Sequence, residues 1–345
     1  MNCAMLKEEE IPQFIQNGFI LEDPKSNQVV VAVCNEGDPH QHKGFLLNFY
    51  GEIKSLTFQS ISFMPREEFK SFIQRICPHK AELSFIRDGD DDYKNDVKTT
   101  LSWLQEKKLQ KIVPTSFAHY NIKEGHPLGF LPKLMDLNGY VFGYWDQEEG
   151  MMGVTPEVLL YQENNLFETM ALAGTFDTNQ KNFASLLEKS NKNQSEQDFV
   201  CMDIEHKLKD HCTQFHKHEK EVFNFGPLAH LHTKITFESK ENFLSLCQRL
   251  SPTAALGGFP TTTALKLLKD LNYFSLEKQS RTFGGAIGIE LQDKAFSLVA
   301  IRSIEWKKNN LYIHSGTGVI SASDIGQEWA EIKNKRKAIV EKLQV

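Results

Sequence analysis

Strand-length apolar runs and helix-period runs are interspersed along this chain without strict βαβ alternation, and that ordering restricts the folds open to it. Residues 28–34, 44–50, 140–145 and 158–161 are short, rich in β-branched and aromatic side chains, and bounded by turn residues, as strands are. Val97, Leu101, Leu104 and Leu109 recur at helical spacing, residues 182–220 form a long polar helical stretch, and residues 243–250 form a further helix. Residues 295–306 and 311–314 are two strands, with Lys307-Lys-Asn-Asn310 as the hairpin turn between them. The expected class is therefore α+β and not a doubly wound sheet. With 345 residues at 40% hydrophobic content, the chain can bury a substantial core without disulfide or metal staples.

The formal net charge of −6 provides no basic field to hold a nucleic-acid backbone, so no nucleic-acid partner is expected. An anionic ligand would need a local cluster of cations. Six scattered cysteines with no C-x-x-C pair read as reduced thiols of a cytoplasmic protein. No leader-like h-region and no run of about 18 apolar residues occurs, so neither export nor membrane insertion is expected. The acidic run Arg87-Asp-Gly-Asp-Asp-Asp92 lacks calcium-loop spacing and reads as a solvated loop. It is the boundary between a less assignable part, 1–90, and a core, 91–345.

Chemistry concentrates towards the C-terminus. Asp324 and Gln327 make a capping-box pattern that predicts a helix start, with Glu328 and Glu331 on one face near its positive end and Lys335 four residues after Glu331. That set is either an exposed i,i+4 salt bridge or a carboxylate pair for Mg²⁺. Glu196, in Lys192-Asn-Gln-Ser-Glu196, is by itself indistinguishable from a surface glutamate, and Lys111 from an exposed lysine. Arg302 stands mid-strand in the 295–306 run. His206, His211, His216 and His218 belong to a solvated helix, because a spacing of five spreads them around the axis. Phe283-Gly-Gly-Ala-Ile-Gly288 and Gly316-Thr-Gly318 lack the signatures of nucleotide loops.

Taken in order over roughly residues 91–340, the segments resemble the chorismate-utilising enzymes, the family of isochorismate, salicylate, anthranilate and aminodeoxychorismate synthases. The resemblance runs through Lys111-Ile-Val, Gly153-Val-Thr-Pro-Glu157, Glu168-Thr-Met-Ala-Leu-Ala-Gly-Thr175, Asn193-Gln-Ser-Glu196 and His230-Leu231. It continues through Ser251-Pro-Thr-Ala-Ala-Leu-Gly-Gly-Phe-Pro260, Phe283-Gly-Gly-Ala286, Ile301-Arg302, Gly316-Thr-Gly318 and Glu328-Trp-Ala-Glu331 with Lys335. It implies large β-sheets packed together with helices outside, as in anthranilate synthase component I. It further implies Mg²⁺ held by Glu196 and Glu331 with Glu328 nearby, and chorismate gripped by Arg302, Lys335 and the backbone of Gly316, Thr317 and Gly318. Gly174, Thr175, His230, Ala255, Leu256, Phe283 and Ile301 complete the implied substrate contacts.

The resemblance also orders the branches. A lysine at position 111, as base for water, is similar to isochorismate and salicylate synthases, whereas the ammonia-using anthranilate synthases carry glutamine there. Ala173 disfavours the aminodeoxychorismate branch, and Ala255 is similar to isochorismate and not salicylate synthases. The implied activity is isochorismate synthesis from chorismate, with Lys111 as general base and Glu157 as general acid, serving menaquinone or siderophore formation. A monomer without an amidotransferase subunit is expected. A salicylate- or anthranilate-forming enzyme and a non-catalytic chorismate-binding protein are the alternatives. Base and acid roles require Lys111 to fall from its usual pKa of about 10.4 and Glu157 to rise, through burial and neighbouring charges. The strand departs from the lysine-type pattern at Pro114 and at Ser116, where an arginine is usual.

Overall fold

The computed structural model describes residues 6–35, 42–178, 181–225, 228–273 and 281–343; Cys3 lies outside them. Two antiparallel sheets dominate. The nine-stranded sheet runs, in spatial order, Phe58–Pro65, Gln28–Cys34, Gly18–Glu22, Tyr140–Trp145, Glu149–Thr155, Ser303–Lys307, Asn310–Gly316, Thr115–Glu124 and Glu82–Asp88. The eight-stranded sheet runs Thr213–Phe225, Leu228–Glu238, Leu166–Asp177, Val158–Glu163, Lys294–Val299, Ala286–Glu290, Lys43–Leu47 and Ile53–Leu56. The chain is thus α+β with large packed sheets and helices outside, as expected.

Period-two alternation lets each sheet bury both faces. Phe19, Leu21, Val30, Phe142 and Met151 of the first sheet meet Leu46, Val158, Ile287, Phe296 and Leu298 of the second, forming the central layer. On the outer side of the first sheet, Ile20, Val31, Val141, Met152 and Ile304 pack against Phe69, Phe72 and Ile73 of the helix Arg66–Ile76 and Ile339 and Leu343 of the C-terminal helix Ile325–Leu343. On the outer side of the second, Phe167, Ala171 and Phe237 pack against Val200, Ile204 and Leu208 of the helix Asn191–Leu208 and Leu246 and Leu250 of the helix Phe243–Leu250.

Three sequence expectations are corrected. Residues 182–220 are not one helix: Phe183–Lys189 and Asn191–Leu208 are followed by the strand Thr213–Phe225, which carries His216 and His218, both exposed. Its polar composition suits a sheet edge, and pairing with Leu228–Glu238 overrides the helical reading. The acidic run is not a loop but a strand end and the first turn of the helix Asp90–Gln105, where Asp90 pairs with Arg336. Three aspartates at a helix N-terminus complement its dipole. Finally, residues 295–306 break into Lys294–Val299 and Ser303–Lys307, which belong to different sheets. Arg302 is therefore at a crossover, with φ +53°, and not mid-strand.

Candidate active site

The two sheets exchange chain twice at adjacent places, and the crossovers place two of the charged groups. Glu149–Thr155 leaves the nine-stranded sheet and continues through Pro156 and Glu157 into Val158–Glu163 of the other. Lys294–Val299 returns through Arg302 into Ser303–Lys307. The partners match: Gly153 faces Ser303 and Val158 faces Leu298, with Val154 N donating to Arg302 O (3.3 Å) and Val299 N to Glu157 O (3.0 Å). A turn away from both ladders is what lets these side chains leave the sheet faces and enter a common cavity.

That cavity is small, about 100 Å³, and opens to solvent at one side. Lys111, Glu157, Gly174, Thr175, Glu196, His230, Ala255, Leu256, Phe283, Ile301, Arg302, Gly316, Gly318, Glu331 and Lys335 all line it. Two expected residues do not. Thr317 turns its hydroxyl to Tyr93 Oη (2.5 Å), tying its loop to the helix Asp90–Gln105, and Glu328 is buried against Lys192 Nζ (2.5 Å). No motif pointed to Lys192, or to the wall residues His314, Ser315 and Ile339; only the i,i+4 spacing of Lys192 to Glu196 hinted at the first.

Lys111 is 1% exposed, contrary to an exposed lysine. Its short strand Lys111–Ile112 pairs with Gly258–Phe259, and Ile112 exchanges two bonds with Val319. Pro114 sits between this strand and Thr115–Glu124, and its carbonyl accepts from Thr317 N (3.4 Å), so the missing N–H leaves no gap in a ladder. Lys111 Nζ lies 3.7 Å from Glu196 Oε2. A Cβ on Gly318 would come within 2.6 Å of Lys111 Cε and 2.7 Å of Glu196 Oε2, so a side chain there would displace one of these two groups. Burial drives the Lys111 ammonium down from its ordinary value; Glu196 opposes this and Lys335 adds to it.

Glu157 is pushed up to about 7 by burial, against the lowering pull of Lys111, the Thr253 hydroxyl and Arg302. Arg302 is brought down to about 10 by burial and remains charged at neutral pH. Its Nη2 stands 2.9 Å from His230 Nε2, and His230 Nδ1 is 3.2 Å from Gly174 O. A carbonyl can only accept, so Nδ1 carries the proton and Nε2 accepts from the guanidinium. Burial, Arg302 and Lys335 all hold this imidazole well below its usual value, hence neutral. Gly174 itself, φ +65°, is the bulge in Leu166–Asp177 that points its carbonyl at His230.

At the other end, Glu196 is pushed up to about 7, by burial despite Lys111 and Lys192. Burial opposes ionisation of Glu331 too, but Lys335 Nζ at 2.7 Å outweighs it and holds the carboxylate below its ordinary value. Lys335 also donates to Gly316 O (2.9 Å). Among the described residues, no three acidic or imidazole groups stand close enough as placed to hold a metal ion. The donor chemistry nevertheless suits a hard cation: Glu328 Oε2 is buried without a partner, and Glu196 is neighboured by both other carboxylates.

The sequence matches a family profile described as chorismate binding enzyme over residues 58–344. The chain is 23% identical over 310 residues to isochorismate synthase MenF of Haemophilus influenzae, covering 87% of this chain and 71% of that protein. It is 29% identical over 219 residues to isochorismate synthase MenF of Escherichia coli, covering 61% of this chain and half of that one. The solved structure of E. coli MenF, the menaquinone-specific isochorismate synthase, superposes with a TM-score of 0.79 at 19% identity, covering 99% of this chain and 92% of the other.

Proposed function

The chain belongs to the family of chorismate-binding enzymes, and from that premise we propose that it is an isochorismate synthase. The observation that carries this reading is a buried lysine and a buried glutamic acid lining one cavity, with their proton affinities displaced towards each other. Lys111, depressed by burial, takes a proton from the water that adds at C2 of chorismate. Glu157, protonated up to about pH 7, gives a proton to the departing C4 hydroxyl. Arg302 and Lys335 are the local cations that an acidic chain needs in order to bind a dianion. Neutral His230 accepts from Arg302 and so aims the guanidinium without adding charge.

Glu196, Glu328 and Glu331 would hold Mg²⁺, which when bound neutralises the ring carboxylate of the substrate. The product would feed menaquinone or siderophore formation. We place the protein in the cytoplasm, acting as a monomer without an amidotransferase subunit; no described helix is long and apolar enough to cross a membrane.

The test is chromatography of chorismate incubated with the protein and Mg²⁺, with and without ammonium. Isochorismate alone is expected in both. Anthranilate in the ammonium arm, or salicylate with pyruvate in either, would replace this reading by a sister activity. Binding without turnover would make the protein a chorismate-binding homologue.

A further inference from the structure

The segment that follows the helix Phe243–Leu250 supplies Ala255 and Leu256 to the cavity wall and brings Thr253 beside Glu157. Within itself it makes only two tight-turn bonds, from Leu256 N and Gly257 N to Thr253 O. What fixes it comes from the helix Asn191–Leu208. Asp203 Oδ2 accepts from Ala254 N (3.0 Å) and Asp203 Oδ1 from the Thr261 hydroxyl (2.5 Å). Lys207 Nζ donates to Leu250 O (3.1 Å), Pro252 O (2.7 Å) and Asp203 Oδ2 (2.8 Å), which uses all three of its protons. Both side chains are largely buried, at 14% and 4% exposure.

A buried ion pair is a poor way to gain stability, since packed apolar groups of the same volume do as well or better. It supplies direction instead. The pair fixes two carbonyls and one amide of a segment that no sheet holds. We propose that Asp203 and Lys207 are positioning residues for the reaction, setting residues 250–256 so that Ala255 and Leu256 keep their place in the cavity wall and Thr253 stays beside Glu157. This rests on the reading of Glu157 as the general acid.

The Thr253 hydroxyl and Glu157 Oε1 are both buried, and neither makes a hydrogen bond among the described residues. Their approach falls short of full hydrogen-bond geometry, yet the hydroxyl favours the ionised acid, as do Lys111 from its short strand and Arg302 from the crossover. Thr253 therefore acts with Lys111 and Arg302 against the rise that burial drives.

The test is the pH profile of kcat for chorismate turnover in Thr253→Val, Lys207→Met, Lys207→Arg and the Thr253→Val/Lys207→Met double variant. A general acid loses activity as pH rises through its pKa. Losing the hydroxyl raises that pKa, so the alkaline limb of Thr253→Val moves to higher pH. Lys207→Met should move it the same way and lower kcat about ten- to a hundredfold, the scale of a misplaced group. Lys207→Arg should restore both, and the double variant should shift no further than Thr253→Val alone. If Lys207→Met does not fold, the near-isosteric Asp203→Asn takes its place. A lowered melting temperature with the limb and the kcat of the folded fraction unchanged would reduce the pair to a structural role and overturn the inference alone. No turnover by the wild type would overturn the parent reading with it.

Discussion

At the residue scale, Glu157 is the position where function and stability oppose each other. Its carboxyl binds a proton up to about pH 7 in the folded chain but only to about 4.5 when unfolded. The raised value contributes stability that is complete below about pH 4.5 and is lost as pH rises through about 7, on the order of 3 kcal/mol across that window. Glu157→Gln removes the titration. It should lower kcat by roughly 10²- to 10⁴-fold and raise the melting temperature over wild type by more at pH 8 than at pH 5. A difference in melting temperature that does not change with pH would contradict the assignment. Lys192 makes a second case, since its ammonium engages Glu328 and Glu196, two of the three proposed Mg²⁺ carboxylates. Lys192→Met should melt lower without Mg²⁺ and gain more from it than wild type in a thermal-shift titration. Equal gains would mean that the lysine does not compete for these oxygens.

At the scale of the element, the C-terminal helix Ile325–Leu343 carries Glu328, Glu331 and Lys335 within its first three turns, so its start sets the geometry of one end of the cavity. Asp324 Oδ1 accepts from Gln327 N at 3.0 Å, the N-cap bond that the Asp-x-x-Gln pattern predicted. Asp324→Ala should cost about 1 kcal/mol of stability, read by denaturant unfolding, and should weaken Mg²⁺-dependent stabilisation, because fraying there loosens two carboxylates at once. The crossovers were less legible. Residues 295–306 look like one strand because every apolar position in them except the half-buried Ile301 is buried. Local pattern reports burial and not which sheet provides it, so the bend at Arg302 was hidden.

At the scale of the whole molecule, strands from residues 18–65 are built into both sheets, and Gly18–Glu22 pairs directly with Tyr140–Trp145. Removing residues 1–90 would expose Phe142, Tyr144 and Met151 of the central layer and leave Tyr140–Trp145 as a bare edge. A chain of residues 91–345 should therefore be insoluble or non-cooperative in thermal unfolding, and limited proteolysis should yield no stable fragment starting near residue 91. A soluble, cooperatively melting fragment would show that the first ninety residues are an accessory part.

Composition, strand-like runs and the ordered motifs were sufficient for the α+β class, the family and fifteen of the cavity-lining residues, because motif identity survives in the linear order of the chain. Proton affinities could not be read there. Lys111 belongs to a run of lysines in the sequence and to a buried cavity wall in the fold, and only the second lowers its charge preference. The inward turn of Arg302, the outward turn of Thr317 and the hold of Asp203 and Lys207 on residues 250–254 were likewise decided by tertiary structure. Each depends on contacts between segments tens to hundreds of residues apart, with partners that no local pattern names.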